Sequence, residues 1–349
     1  MAYHLRAYSC ISLESKRTKR KQYHQTINIS MEYIILLISL AGIVFGADFL
    51  VAGSVSIARR YKVSDFVIGA AIIGVGTSTP ELTVSFMGAL GGNADVAMGN
   101  VVGSNIFNIL GILGITAIFF PVTFDRQNLR FEIPVCLGIS VLLMLLSFNF
   151  FDGTGQCVGR FDGMLLLLAF AAFMTISFYR DAKAKQPILI QEDKPLEKAD
   201  PLWLATAKVA GGLAVLITSC DFFVDNAVLI AKSFGVNDAF ISLTLIACGT
   251  SLPELAASIA AALKKNTSMA LGNVVGSNIF NIALILGLCS QVTPLTSTGI
   301  TIVDYLVMIA AVVVLYAFGK NCKIERHEGI LLFAGFIGYT WYLISNQIS

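Results

Sequence analysis

Charge is what this sequence has least of. Only 13% of its 349 residues are Asp, Glu, Lys or Arg, while 56% are hydrophobic, and that balance excludes an ordinary water-soluble domain. Histidine is nearly missing. His4, His24 and His327 all fall in a tail or a loop, so no zinc or copper site is expected inside an apolar span. An intramembrane enzyme would want paired aspartates, a serine with a base, or H-E-x-x-H, and no span holds a histidine, so no enzyme is expected. GVGTST is not a phosphate loop, because no lysine follows its glycines. The seven cysteines form no C-x-x-C pair and lie mostly in apolar stretches, where the thiol serves as a small hydrophobe, so no structural disulfide is expected.

What is present is a succession of long apolar runs. A spanning helix takes about 20 apolar residues, and such runs fall at 32–58, 65–90, 95–119, 131–150, 161–180, 202–231, 237–263, 268–291, 301–319 and 328–346. The expected fold is an all-α membrane protein of ten helices in a lipid bilayer. Basic residues gather in alternate connections: Arg59, Arg60 and Lys62; Arg126 and Arg130; Arg180 to Lys198; Lys264 and Lys265; Lys320, Lys323 and Arg326. The positive-inside rule puts those loops in the cytoplasm and both mature termini outside, in a plasma (cell inner) membrane. The tail 1–30 disagrees, since it carries six Lys and Arg residues. Met31 therefore reads as the start, and 1–30 as a start-site artefact. The alternatives are a disordered basic tail or the n-region of a signal, the latter without a small-residue cleavage site. The remaining units are 31–180, a cytoplasmic linker 181–200, and 201–349.

The sequence is internally duplicated. GNVVGSNIFNI at 99–109 returns at 272–282, and GTSTPEL at 76–82 returns as GTSLPEL at 249–255, both shifted by 173 residues. No gap interrupts the match from Asp48 to Ile109. Each copy holds five expected spans, an odd number, so the second copy lies upside down relative to the first. Inverted repeats with interrupted helices near the midplane are a design of secondary transporters.

Each copy carries one glutamate deep in an apolar span, Glu81 and Glu254. A carboxylate there costs about 2.5–3.5 kcal/mol on insertion scales and marks function by default. Thr77 and Ser78, four and three residues earlier, fall on the Glu81 face of a regular helix, as Thr250 and Ser251 do for Glu254. Pro80 and Pro253 should break the helix and release carbonyls four residues back, at Gly76 and Gly249. In the second motif, Gly99, Gly103, Gly272 and Gly276 allow close backbone approach. Ser104 shares a face with Asn108, and Ser277 with Asn281. Carboxylate, hydroxyl and amide oxygen without sulfur or imidazole is a hard-cation ligand set, fit for Ca²⁺ or Na⁺. Asp48, Asp221 and Asp225 are secondary candidates for an access path, or solvated groups near helix ends.

These motifs resemble the two alpha repeats of the cation/calcium exchanger superfamily, nearest the prokaryotic sodium/calcium exchangers. The resemblance implies ten helices in two inverted repeats of five, the first and sixth sliding against the rest. It also implies a ligand set: Glu81, Thr77, Ser78, the Gly74 carbonyl, Ser104 and Asn108 in one half; Glu254, Thr250, Ser251, the Ala247 carbonyl, Ser277 and Asn281 in the other. Characterised sodium/calcium exchangers commonly carry Asp at the position of Asn281. The expected function is Ca²⁺/Na⁺ antiport by alternating access, with proton-coupled or K⁺-dependent exchange as the alternative and a calcium channel as a remote one. A monomer with no cofactor and no nucleic-acid partner is expected. The short linker leaves no room for a large calcium-sensing region.

Overall fold

The computed structural model describes residues 2–148, 157–183, 200–234, 247–296 and 299–348, with side chains from Met31 onward except Ala247 and 346–348. The protein is an all-α membrane protein. Helix α1 runs Ala2–Tyr61 and is apolar from Met31. There follow α2 (Asp65–Thr77) and α3 (Thr79–Leu90), then α4 (Ala94–Phe119), α5 (Asn128–Ser147), α6 (Arg160–Lys183) and α7 (Leu202–Ser233). The short α8 (Ala247–Gly249), α9 (Leu252–Leu263), α10 (Thr267–Val292), α11 (Ile302–Phe318) and α12 (Arg326–Ile348) complete the chain. Among the described residues eight helices are long and apolar enough to cross a bilayer, and α2 with α3 makes a ninth crossing if the bent pair counts as one. These match the expected spans to within a few residues. The first part of the run at 237–263, and most of the linker 181–200, lie outside the described residues.

Burial sorts the helices into centre and periphery. Helices α4 and α10, which carry the two GNVVGSN motifs, are the most enclosed. Their apolar residues Val101, Val102, Ile109, Val274, Val275 and Ile282 form the heart of the core. Helices α1 and α7 lie at the edge and turn Leu37, Ile38, Phe45, Phe222 and Leu229 outward, as lipid-facing helices must. The pair packs along its length. A Cβ on Gly46 would lie 2.6 Å from the Leu216 backbone nitrogen and 2.9 Å from the Gly212 carbonyl, so only a small residue permits this crossing.

Four two-residue strands tie the loops. β1 (Val122–Thr123) pairs antiparallel with β4 (Lys323–Ile324), and β2 (Cys157–Val158) with β3 (Leu295–Thr296). Each pair therefore joins a loop of the first half of the sequence to a loop of the second. In the second copy of GNVVGSN the glycines make the close approaches expected of them, Gly272 against the Phe66 carbonyl and Gly276 against Ala70. Gly99 meets only an Ile300 side chain, and Gly103 has nothing within 4 Å. Their partners by the duplication would be residues 239 and 243, outside the described residues.

Candidate functional site

Two breaks in the helices shape the site. Between α2 and α3 the chain bends by 49°, because Pro80 has no N–H to donate and its ring crowds the preceding turn. Ser78 sits at the bend with φ −78 and ψ 12, and the released Gly76 carbonyl accepts from Thr79 Oγ1 at 2.7 Å. Ser251 occupies the second break with φ −94 and ψ 8. Leu252 stands there in place of Thr79 and offers no hydroxyl. Beyond each break a new helix begins, with Glu81 or Glu254 in its first turn, where the positive end of the helix dipole favours a carboxylate. Both glutamates are fully buried.

The serines do not serve the glutamate of their own motif. Ser78 Oγ donates to Glu254 Oε1 at 2.8 Å, and Ser251 Oγ donates to Glu81 Oε1 at 2.7 Å. This corrects the expectation from helical spacing. The bend takes Ser78 out of register with α3, and the two breaks face each other, so each hydroxyl reaches across. Thr77 Oγ1 donates to Ile73 O at 2.9 Å and lies 3.3 Å from Asn273 Oδ1. Thr250 Oγ1 lies 3.5 Å from Asn100 Oδ1.

The second motif closes the walls. The segment with Asn281 packs on α3, and the segment with Asn108 on α9. In both segments, Phe107–Leu113 and Phe280–Leu286, the helix widens into π-turns, a local irregularity common at functional sites. Ser277 Oγ donates to the Gly74 carbonyl at 3.3 Å. Its counterpart Ser104 Oγ has no partner among the described residues, and Ala247, which would hold the matching carbonyl, opens α8. Also without partners are Glu81 Oε2, Glu254 Oε2, Asn108 Oδ1 and Asn281 Oδ1. The two amide oxygens only accept, and the two carboxylate oxygens do so when ionised. Among the described residues no three His, Cys, Asp or Glu side chains converge, so any cation held here is met largely by neutral oxygen.

The remaining aspartates lie elsewhere. Asp48 pairs with Lys264, which follows α9, at 2.7 Å; Asp221 and Asp225 are exposed on α7. Two contributors escaped the sequence reading. Asn100 Nδ2 donates to Glu81 O at 3.2 Å and Ser85 Oγ at 2.9 Å, and Asn273 Nδ2 to Glu254 O at 3.1 Å and Ser258 Oγ at 2.8 Å. The available signal was their place inside the duplicated string, as polar residues in apolar spans.

The chain matches the family model described as "Sodium/calcium exchanger protein" over residues 31–179 and 204–345. It belongs to the sodium/calcium exchanger family. Among relatives of this exchanger, a candidate antiporter, CaxA of Alkalimonas amylolytica, is 38% identical over 90% of this chain and 98% of its own. The sodium/calcium exchanger MaX1 of Methanosarcina acetivorans is 30% identical over 89% and 98%. A solved structure of the sodium-calcium exchanger NCX_Mj, soaked with zero Na⁺ and Ca²⁺, matches with a TM-score of 0.76 at 31% identity, covering 90% of this chain and 99% of that one. Membership makes the present exchanger a multi-pass membrane antiporter of cations and Ca²⁺.

Proposed function

We propose that the protein exchanges Ca²⁺ for Na⁺ across the membrane by alternating access, with both ions bound between the two helix breaks. The observation that carries this reading is the set of unpartnered acceptors. Glu81 Oε2, Glu254 Oε2, Asn108 Oδ1 and Asn281 Oδ1 are buried without a hydrogen bond, a costly arrangement for polar atoms at membrane depth unless a cation or proton meets them. Ser104 adds a hydroxyl, and Thr77, Ser78, Thr250, Ser251, Ser277 and the carbonyls of Gly74 and Ala247 complete the oxygen set. Two carboxylates neutralise one Ca²⁺ or two Na⁺, so competition for the same oxygens is exchange.

The fold this implies has ten spans in two inverted five-helix repeats, divided at the linker 181–200, with the basic loops in the cytoplasm and both mature termini outside. The reciprocal bonds between the halves support it, because bonds exchanged pairwise are those of a two-fold arrangement. α1 and α7 are the moving pair. The protein works as a monomer in the plasma (cell inner) membrane.

Coupling to protons is the second reading. It is favoured by Asn281, an amide where characterised exchangers commonly carry a carboxylate.

Ca²⁺ uptake into Na⁺-loaded proteoliposomes tests the proposal. Wild type should accumulate Ca²⁺ down the opposing Na⁺ gradient, and Glu81→Gln and Glu254→Gln should not. Uptake that ignores Na⁺ but follows a pH gradient selects the second reading. Uptake unaffected by either substitution removes the site.

A further inference from the structure

Between α4 and α10 four asparagine side chains are joined in a closed set of bonds. Asn105 Nδ2 donates to the Asn278 carbonyl at 3.2 Å, and Asn278 Nδ2 donates to the Asn105 carbonyl at 3.1 Å. Asn281 Nδ2 donates to Asn105 Oδ1 at 3.2 Å, and Asn108 Nδ2 to Asn278 Oδ1 at 3.0 Å. All four residues are buried.

The orientation of every amide follows from one fact. A backbone carbonyl only accepts, so Asn105 must turn its Nδ2 toward Asn278 O. Its Oδ1 then faces Asn281, which must answer with its own Nδ2. That leaves Asn281 Oδ1 on the far side of its amide, where it has no partner. The mirrored sequence, from Asn278 through Asn108, ends on the unpartnered Asn108 Oδ1. A carboxylate at 281 would instead set acceptor against acceptor.

We infer that Asn105 and Asn278 are positioning residues for ion binding: each fixes the amide of Asn281 or Asn108 in the opposite half so that its oxygen, not its nitrogen, is presented to the transported cation. This rests on the reading of the site as a cation site. It goes beyond that reading by giving work to two residues outside the ligand set, and by making each half depend on the other for ligand orientation. Simple interhelical glue would also use amide bonds, but it would not single out one residue across the interface.

A double-mutant cycle in the full-length protein separates the two roles, with half-saturating Ca²⁺ for uptake into Na⁺-loaded proteoliposomes as the readout. Losing one orienting bond should raise that concentration in Asn105→Ala about three- to tenfold. With Asn281→Ala already in place, adding Asn105→Ala should change it less than about twofold, because the bond that Asn105 supplies then has no amide to orient. Asn278→Ala with Asn108→Ala repeats the test from the other half and serves if Asn105→Ala does not fold. Effects of Asn105→Ala and Asn281→Ala that multiply would overturn the inference. So would failure of both Asn105→Ala and Asn278→Ala to fold while Asn281→Ala folds, since the pair would then be structural. Wild type without Ca²⁺ uptake, or Glu81→Gln with wild-type uptake, removes the site itself and this inference with it. An intact site with multiplying effects removes only the inference.

Discussion

Ser78 donates its hydroxyl to Glu254 at 2.8 Å, across the boundary between the two halves of the chain. The mirrored bond from Ser251 to Glu81 makes each carboxylate a shared property of both motifs. Substituting a serine should therefore act on the distant glutamate. Ser78→Ala should weaken apparent Ca²⁺ affinity about tenfold, the loss expected when a buried charged acceptor gives up one donor. Glu254→Gln combined with Ser78→Ala should be less than additive, and Glu81→Gln combined with Ser78→Ala nearly additive. Equilibrium Ca²⁺-binding titrations in detergent of the three single and two double variants check this.

The crossing of α1 and α7 gives a second expectation. Gly46 faces Leu216 and Gly212 backbone atoms that cannot move aside, so Gly46→Val should force the helices apart. Transport should fall by at least about tenfold, a barrier change of about 1.4 kcal/mol. Equilibrium Ca²⁺ binding should stay near wild type, because the ligands sit on other helices. Comparing binding in detergent with flux in vesicles distinguishes the two effects.

Much of this architecture was legible in the sequence. The 173-residue shift announced which residues are equivalent, and Pro80 and Pro253 announced the breaks. What could not be read was direction. Helical spacing pairs Ser78 with Glu81 as on a continuous helix, and a bend whose direction is set by packing reverses the pairing. The π-turns around Asn108 and Asn281 were equally hidden, since no local residue preference marks a widened turn. Glu132 was missed for another reason: it opens its span, and a charge at a span end reads as an interfacial group. It is in fact fully buried, and neither carboxylate oxygen makes a well-formed hydrogen bond among the described residues, although Gln127, Asn128 and Arg180 lie close enough to act on it.

That burial makes Glu132→Gln informative. A buried polar group without a well-formed hydrogen bond costs about 1–3 kcal/mol, and the neutral amide carries less of that cost. The variant should keep Ca²⁺ uptake within about twofold of wild type and melt no lower than wild type, by up to about 4 °C higher. A thermal-shift measurement in detergent decides it, and a lower melting temperature would mean that Glu132 has structural work.

The Asp48–Lys264 pair links α1 to the residue after α9 at 2.7 Å, with Asp48 60% and Lys264 31% exposed. Such a pair adds about 0–1 kcal/mol, too little to hold the fold but enough to bias α1 if it slides as proposed. Lys264→Gln should change the maximal exchange rate by no more than about fivefold and leave half-saturating Ca²⁺ unchanged. The effect should shrink at high salt, as an exposed pair is screened.

The exchanged strand pairs carry a consequence for how the protein is made. β1 at Val122–Thr123 finds its partner only at Lys323–Ile324, and β3 finds its own back at Cys157–Val158. During synthesis the early loops must wait, open-edged, until nearly the whole chain has entered the bilayer. Synthesis through Thr296 completes the β2–β3 tie and synthesis through Ile324 the β1–β4 tie, so a ribosome stalled between the two would leave a membrane-inserted chain with its first loop unsealed.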